Sequence, residues 1–267
     1  MRQAGWYDEG RERTMGTNLP ALFLIGTAGG FAAGLLGIGG GIVLVPLLAY
    51  LGGLPFHTAT TVSVVHVLVS SVSGVHRHHR LGSIYGRVAL QLGISSAATA
   101  ALAAALAPAI PSHWLQVAFF ALLVVSAVVL ALPKRRSPAD LVVEPSAAPT
   151  VAIGMAAGSV TGLLGAGGGF FMLPLMIYVL RMRTKVAIGT SLAAIVLGSL
   201  SGALSKLVTG QIDYWLTATV ILGGALGAQL GALTSARLPA VALRRLLFAL
   251  LVVIAARTIA GIYVGDL

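Results

Sequence analysis

Two glycine triplets, Gly39–Gly41 and Gly167–Gly169, interrupt apolar stretches of the chain, and each is followed five residues later by a proline. Glycine lets the backbone take positive φ and lets another group approach it closely. A helix that begins just after such a break, at about Ile42 or Phe170, directs free N–H groups and its positive dipole end into the break. The pattern predicts two anion-binding stretches made from backbone.

Hydroxyl side chains follow both triplets at similar distances. Thr61 and Ser63 belong to "TATTVSVVH", and Thr190 and Ser191 belong to "AIGTSL". Hydroxyls can donate hydrogen bonds to an oxyanion without the cost of burying a cation. The alternative is a hydrogen bond to the carbonyl four residues earlier in the same helix, which is common for Ser and Thr in membrane helices. We predict that these four residues contribute to the anion site.

Other polar residues fall inside or beside apolar segments. An ionisable residue within such a segment predicts a functional role, and His66 has the side chain best suited to carry a coupled proton. Gln229 can donate an amide hydrogen bond and joins the candidate site. Lys206 and Arg257 stand near segment ends, where we predict that they snorkel to the interface. The stretch "HRHHR" at 76–80 is predicted to be a solvated orientation signal rather than a metal site.

The inventory does not favour an enzyme. Asp and Glu total only seven, cysteine is absent, and the apolar segments offer no carboxylate pair and no Na⁺ cage. The glycine stretches lack the Lys-Ser or Lys-Thr of a Walker loop and the βαβ setting of a dinucleotide fingerprint. We therefore predict no catalytic residue, no metal and no cofactor, and a small anion as the ligand.

The composition indicates what must position these residues. Of 267 residues, 57% are hydrophobic and 9% are charged, whereas soluble domains carry about 25% charged residues. An all-α integral membrane protein, multi-pass in the cell inner membrane, is predicted. The formal charge of +10 lies largely in loops between apolar runs. It therefore predicts orientation by the positive-inside rule rather than nucleic-acid binding.

Eight apolar segments are predicted in two groups of four, and the groups match without a gap at an offset of 128 residues. This divides the chain into a polar leader at 1–18, repeat 1 at 19–132, a linker at 133–149 and repeat 2 at 150–263. Met15 offers an alternative start. The predicted segments are 19–52, 57–75, 86–107, 111–132, 150–180, 185–208, 212–236 and 239–263.

The charged loops predict how the repeats are oriented. If all eight segments cross the membrane, the four basic loops at 76–87, 134–136, 181–185 and 237–245 divide evenly between its two faces. If the first segment of each repeat turns back at its glycine triplet, all four loops face the cytoplasm, as the positive-inside rule requires. We therefore predict two inverted repeats, each with a broken, re-entrant first segment.

The stretches "GLLGIGGGIVLVPLL", "GLLGAGGGFFMLPLM" and "AIGTSL", with the duplication, resemble the TauE/SafE sulfite-exporter family over residues 19–263. The resemblance implies transport of small sulfur-containing or organic anions, such as sulfite, sulfoacetate and related sulfonates. The first-half "ATTVSV" departs from the "GTS" of the second half, so the two halves are expected to contribute unequally.

The expected function is a secondary transporter that works by alternating access. One half rocks against the other around a midplane site, and the membrane potential or a coupled proton supplies the energy. Export is favoured because a negative-inside potential drives anions outward. The alternatives are an anion-selective channel or an uptake carrier for another small anion on the same scaffold, and a structural membrane subunit without transport. The sequence leaves the oligomeric state open.

Overall fold

A computed structural model describes residues 19–131, 146–208 and 214–264, and side chains other than Tyr50 up to residue 256. The predicted leader, the basic residues 134–136 and the Arg257 side chain lie outside this description. Within the described residues the chain is helical, with no strand. The helices are α1 Leu19–Leu36, α2 Gly41–Pro46, α3 Phe56–Arg80, α4 Gly86–Leu106, α5 Ser112–Ala131, α6 Ala147–Leu164, α7 Gly169–Tyr178, α8 Thr184–Val208, α9 Tyr214–Arg237 and α10 Ala240–Val264.

Seven of the helices in the described part are long and apolar enough to cross a membrane, namely α1, α3, α4, α5, α6, α8 and α9. The protein is therefore a multi-pass membrane protein. The predicted eighth segment is helical in α10, which is not among the seven. Helix α6 begins at Ala147, so the predicted linker ends before residue 149.

The helices recur at the interval found in the sequence. Helices α6 to α10 begin 128 residues after α1 to α5, pair by pair and without exception. The correspondence joins α1 with α6, α2 with α7, α3 with α8, α4 with α9, and α5 with α10. Glycines, prolines and helix starts thus share one register.

Each repeat opens with a helical hairpin. After α1 ends at Leu36, the chain turns and α2 runs back beside it. Gly40 contacts the Gly29 carbonyl, and the Cβ of Leu44 would lie 3.4 Å from a Cβ built on Gly29. In the second repeat Gly168 contacts the Ala157 carbonyl in the same way. The predicted interruption of the first segment is therefore present in both repeats.

The central pair of helices, α3 and α8, runs antiparallel. The ammonium of Lys206, near the end of α8, bonds Thr61 near the start of α3. At the opposite end, His78 of α3 and Lys185 of α8 line one cavity. Since α3 and α8 are equivalent in the two repeats, their antiparallel packing bears directly on the orientation of the repeats.

The outer helices exchange partners between the repeats. Helix α1 packs most extensively against α9, and α6 against α4. Backbone contacts at Gly26–Val220, Gly30–Gly224 and Gly34–Ala228 show that α1 and α9 run parallel, with no side chain between them at these points. The four-segment repeats of the sequence are thus interleaved rather than two separate packing units, because small residues at four-residue spacing allow helices from different repeats to approach closely.

Candidate functional site

The two glycine breaks meet in the protein interior. A Cβ on Gly41 would lie 2.6 Å from the Ala166 Cα, and one on Gly169 would lie 2.8 Å from the Ile38 Cα. No L-residue other than glycine can occupy these two positions without moving the opposite backbone. Gly39–Gly41 and Gly167–Gly169 are all buried. The two triplets therefore form one central feature, which we call the paired breaks, residues 37–41 and 165–169.

The left-handed turns begin earlier than the triplets. Gly41 and Gly169 are the first residues of α2 and α7, so these helices begin one residue before the predicted Ile42 and Phe170. Gly37 and Gly165 supply the third left-handed position of each break. The positive φ angles are 72°, 78° and 78° at Gly37, Gly39 and Gly40, and 61°, 77° and 57° at Gly165, Gly167 and Gly168. Such angles strain any residue with a Cβ.

Two serines cross from one repeat to the break of the other. The Ser63 hydroxyl donates to the Gly165 carbonyl at 2.8 Å, and the Ser191 hydroxyl donates to the Gly37 carbonyl at 2.8 Å. Ser63 and Ser191 are equivalent positions, and so are Gly37 and Gly165. Ser191 Oγ also lies 2.9 Å from the Ile188 carbonyl of its own helix. A hydroxyl has one proton, so in this conformation both serines use it on backbone carbonyls rather than on a bound anion.

Two apolar side chains fill the space beside the breaks. A Cβ on Gly39 would meet Val67 Cγ1 at 3.0 Å and Ile195 Cγ2 at 3.4 Å, and one on Gly167 would meet Val67 Cγ1 at 2.7 Å. Val67 and Ile195 are also equivalent positions in the repeats. Their position makes them the side chains that occlude the breaks in this conformation, a role for which an apolar residue gives no sequence signal.

The two threonines of the predicted site face different partners. Thr61 Oγ1 donates to the His57 carbonyl of its own helix at 2.9 Å and accepts from Lys206 Nζ at 3.1 Å. Thr190 Oγ1 accepts from the backbone N–H of Tyr85 at 2.9 Å. Both threonines are buried, but their hydrogen bonds lead to the ends of α3 and α8 rather than into the paired breaks.

The prediction that Lys206 snorkels to the interface is wrong. Lys206 is 1% exposed, and its ammonium lies against Thr61 in the interior. Its equivalent in the first repeat, His78, is 4% exposed, which also contradicts a fully solvated role for "HRHHR". Hydropathy places both residues at segment ends, but the antiparallel packing of α3 and α8 covers those ends.

His66 lies on the side of α3 opposite to the contact between Thr61 and Lys206. Its Nε2–H donates to the Gly26 carbonyl of α1 at 3.0 Å, and the ring packs against Gly224 of α9. The Nδ1 atom has no hydrogen-bond partner in the described part of the chain. His66 therefore sits between α1 and α9, one residue away from the Val67 that touches both breaks. Gln229, in contrast, is exposed on α9 and is not drawn into this buried group.

The paired breaks offer a defined set of groups to a ligand. At the start of α7 the N–H groups of Phe171 and Met172 bond the Gly168 carbonyl, whereas those of Gly169 and Phe170 come before the first carbonyl that the helix offers. The described residues around them include no carboxylate. The side-chain hydroxyls that bond the breaks are those of Ser63 and Ser191 and that of Ser70, which lies 3.2 Å from the Gly39 carbonyl. Such a setting suits an anion better than a cation, because its free donors are backbone N–H groups.

The chain is similar to known membrane transporters. The model of the family described as sulfite exporter TauE/SafE matches residues 22–258. The chain is 27% identical over 231 residues to the probable membrane transporter protein YdhB of Bacillus subtilis, with 85% of this chain and 93% of the relative covered. It is 31% identical to YjnA of the same organism, covering 81% and 90%.

A probable membrane transporter protein of Xylella fastidiosa is 30% identical over 222 residues, covering 81% of this chain and 85% of the relative. No solved structure matches the chain. The family match includes both glycine breaks, both crossed serines and the buried ends of α3 and α8. On this evidence the chain belongs to the TauE/SafE sulfite exporter family of membrane transporters.

Proposed function

We propose that this transporter moves small sulfur-containing or organic anions, such as sulfite, sulfoacetate or related sulfonates, out of the cell by alternating access. The observation that carries the proposal is the backbone contact between the paired breaks, at Gly41–Ala166 and Gly169–Ile38. Irregular backbone at membrane depth is tolerated where protein covers it or where it lines a cavity. The family description, sulfite exporter, supports the class of substrate.

Antiparallel packing of α3 and α8 supports inverted repeats. In that arrangement the described basic loops, with Arg87, Arg183, Arg237 and Arg245 among their residues, lie at the same end as His78 and Lys185. The positive-inside rule makes this end cytoplasmic. The paired breaks then lie between the two membrane faces, where a carrier needs its site.

The moving bodies we propose are mixed groups of helices rather than the two halves of the sequence. Helices α1, α3 and α9 form one module, and their equivalents α6, α8 and α4 form the other. The two modules meet chiefly where α3 packs on α8. Rocking at this contact would move Val67 and Ile195 away from the breaks and free the serine hydroxyls. The membrane potential or a coupled proton supplies the energy.

Flux measurements on the purified protein in liposomes test the proposal. We expect saturable uptake of labelled sulfoacetate or sulfite that unlabelled anion accelerates by exchange. Gly39→Ala should abolish flux, because its Cβ meets Val67 at 3.0 Å in a backbone of φ 78°. Gly53→Ala is the matched control, since Gly53 also has positive φ but a Cβ there contacts nothing within 4 Å.

The outcomes separate the alternatives. Unitary conductance would replace the carrier by an anion channel, and flux only with an inward gradient would indicate an uptake carrier. Absence of flux for every small anion tested would refute a transport function for the isolated protein. Equal loss in Gly39→Ala and Gly53→Ala would assign the effect to backbone strain rather than to the breaks.

A further inference from the structure

A cavity lies at the basic end of the α3/α8 pair, away from the paired breaks. Its volume is about 180 Å³, and it is lined by His78, Leu81, Ser83, Lys185, Ser235 and Ala236. Water occupies about 30 Å³ in the liquid, so the space is large enough for a small oxyanion with some of its hydration. Lys185 and Ala236 are exposed, whereas His78 and Ser235 are buried. The cavity therefore leads from the surface to a buried polar wall.

The wall carries donors and no acidic side chain. His78 Nε2 lies 3.3 Å from the Gly34 carbonyl, which can only accept, so this nitrogen carries a proton. The other ring nitrogen lies 3.1 Å from Ser83 Oγ. Lys185 Nζ reaches the Ala236 carbonyl at 3.4 Å, which leaves two of its three N–H groups for another ligand. The Ser83 hydroxyl also donates to the His78 backbone carbonyl at 3.0 Å, so Lys185 supplies the N–H groups that are left for a ligand. A small anion is the ligand that this ammonium can bind.

Direct contacts connect this cavity to the paired breaks. The His78 ring bonds Gly34, which is three residues before Gly37 at the first break. On the opposite wall, the Ser83 carbonyl packs against Gly189 of α8. Gly189 is two residues before Ser191, which bonds Gly37. The segment around Gly34 and the segment around Gly189 therefore border both the cavity and the paired breaks.

The repeat places the same two residue types at the opposite end of the pair. Lys185 is equivalent to His57, and His78 is equivalent to Lys206, so each end combines a histidine of α3 with a lysine of α8. Positions 57 and 78 are separated by about 30 Å at 1.5 Å per residue, close to the thickness of the hydrocarbon core. Residue 67, at the breaks, is midway between them.

From this symmetry we infer that the His78–Lys185 cavity is a binding site for small oxyanions at the cytoplasmic mouth of the transport path. Lys185 attracts the anion at the surface, and the buried wall with His78, Ser83 and Ser235 receives it before it reaches the breaks. The inference rests on the proposed anion transport, but it concerns a separate site, and its test does not require flux.

The absence of cysteine from the chain permits a direct test. Ser235→Cys introduces a near-isosteric thiol into the cavity while keeping His78 and Lys185, and Ala236→Cys is a second reporter should the first fail to fold. We compare the modification rates by an anionic and a cationic methanethiosulfonate. Replacing Lys185 by Gln should slow the anionic reagent and speed the cationic one by about fivefold each, the effect of a unit charge about 4 Å away in water, so their rate ratio should fall by about 25-fold.

Sulfoacetate is the competing probe, with Arg245→Gln as the matched control because Arg245 is an exposed base at the same end. We expect sulfoacetate to slow modification of the cavity thiol saturably, with the effect lost in Lys185→Gln and kept in Arg245→Gln. No protection, or equal effects of the two substitutions, would overturn the site. Wild-type flux without protection refutes only this site, whereas protection without flux of any anion refutes only the proposed transport.

Discussion

At the scale of single residues, hydrogen bonds from Ser63 and Ser191 connect each break to the opposite repeat. Ser63 and Ser191 donate to carbonyls of the opposite break at 2.8 Å, where neither helix can satisfy the carbonyl with its own N–H. Each serine thus joins one repeat to the other. Their hydroxyls are predicted ligands of the anion, but in this conformation they donate to backbone carbonyls.

We predict that Ser63→Ala and Ser191→Ala each lower stability by about 1–3 kcal/mol, the cost of leaving a buried carbonyl unsatisfied. Thermal unfolding of the purified protein in detergent measures the effect. Ser71→Ala is the control on the same helix as Ser63, since its buried hydroxyl has no hydrogen-bond partner among the described residues. Unchanged stability of both variants would show that the crossed hydrogen bonds do not hold the breaks.

At the scale of the helices, the contact between α1 and α9 depends on the absence of side chains. Gly26, Gly30 and Gly34 of α1 face Val220, Gly224 and Ala228 of α9 through backbone. The equivalent contact of α6 with α4 has Gly154, Gly158 and Gly162 on α6, but Ser95 and Thr99 contribute from α4. The two equivalent interfaces therefore differ in the side chains that line them, although a Cβ on Gly158 would also meet backbone, at the Ser96 carbonyl.

We predict that Gly30→Ala destabilises the protein by about 1–3 kcal/mol, as overpacking does, because its Cβ would collide with the Gly224 carbonyl. The matched control is Gly86→Ala, in the first turn of α4, where a Cβ contacts nothing within 4 Å. The unfolding temperature in detergent is the measurement. Equal unfolding temperatures for the two variants would mean that α1 and α9 can separate without cost.

The sequence was sufficient to predict the duplication, the interruption of each first segment and the glycines at the breaks, because these follow from residue type and spacing. It was not sufficient to predict that α1 packs on α9 and α6 on α4. Small-residue faces at four-residue spacing fit several partners equally well, so they indicate close packing without naming the neighbour. The same limit explains Lys206, because hydropathy records its position near a segment end but not the helix that covers it.

At the scale of the whole molecule, the exchange of helices between repeats changes which parts can move. A motion of residues 19–132 against 150–263 would separate α1 from α9 and α4 from α6. These are the most extensive helix contacts in the described part of the chain. A motion of the module α1, α3 and α9 against α4, α6 and α8 keeps both contacts. It alters chiefly the contact of α3 with α8, where the breaks and both His/Lys pairs lie.

We therefore predict that bridging α3 to α8 stops transport, whereas bridging within a module does not. The chain supplies two equivalent pairs for this purpose. A Cβ on Gly202 would lie 3.3 Å from Val64 Cγ2, and one on Gly74 would lie 3.2 Å from Leu192 Cδ1. In the double variants Val64→Cys/Gly202→Cys and Gly74→Cys/Leu192→Cys, oxidation should abolish sulfoacetate flux in liposomes and reduction should restore it.

The control within one module is Ser201→Cys/Ala97→Cys, bridged by a short bifunctional thiol reagent, because Ser201 bonds the Ala97 carbonyl at 2.7 Å. Flux that persists through an oxidised α3–α8 bridge would show that the anion crosses without relative motion of the modules, as in a channel.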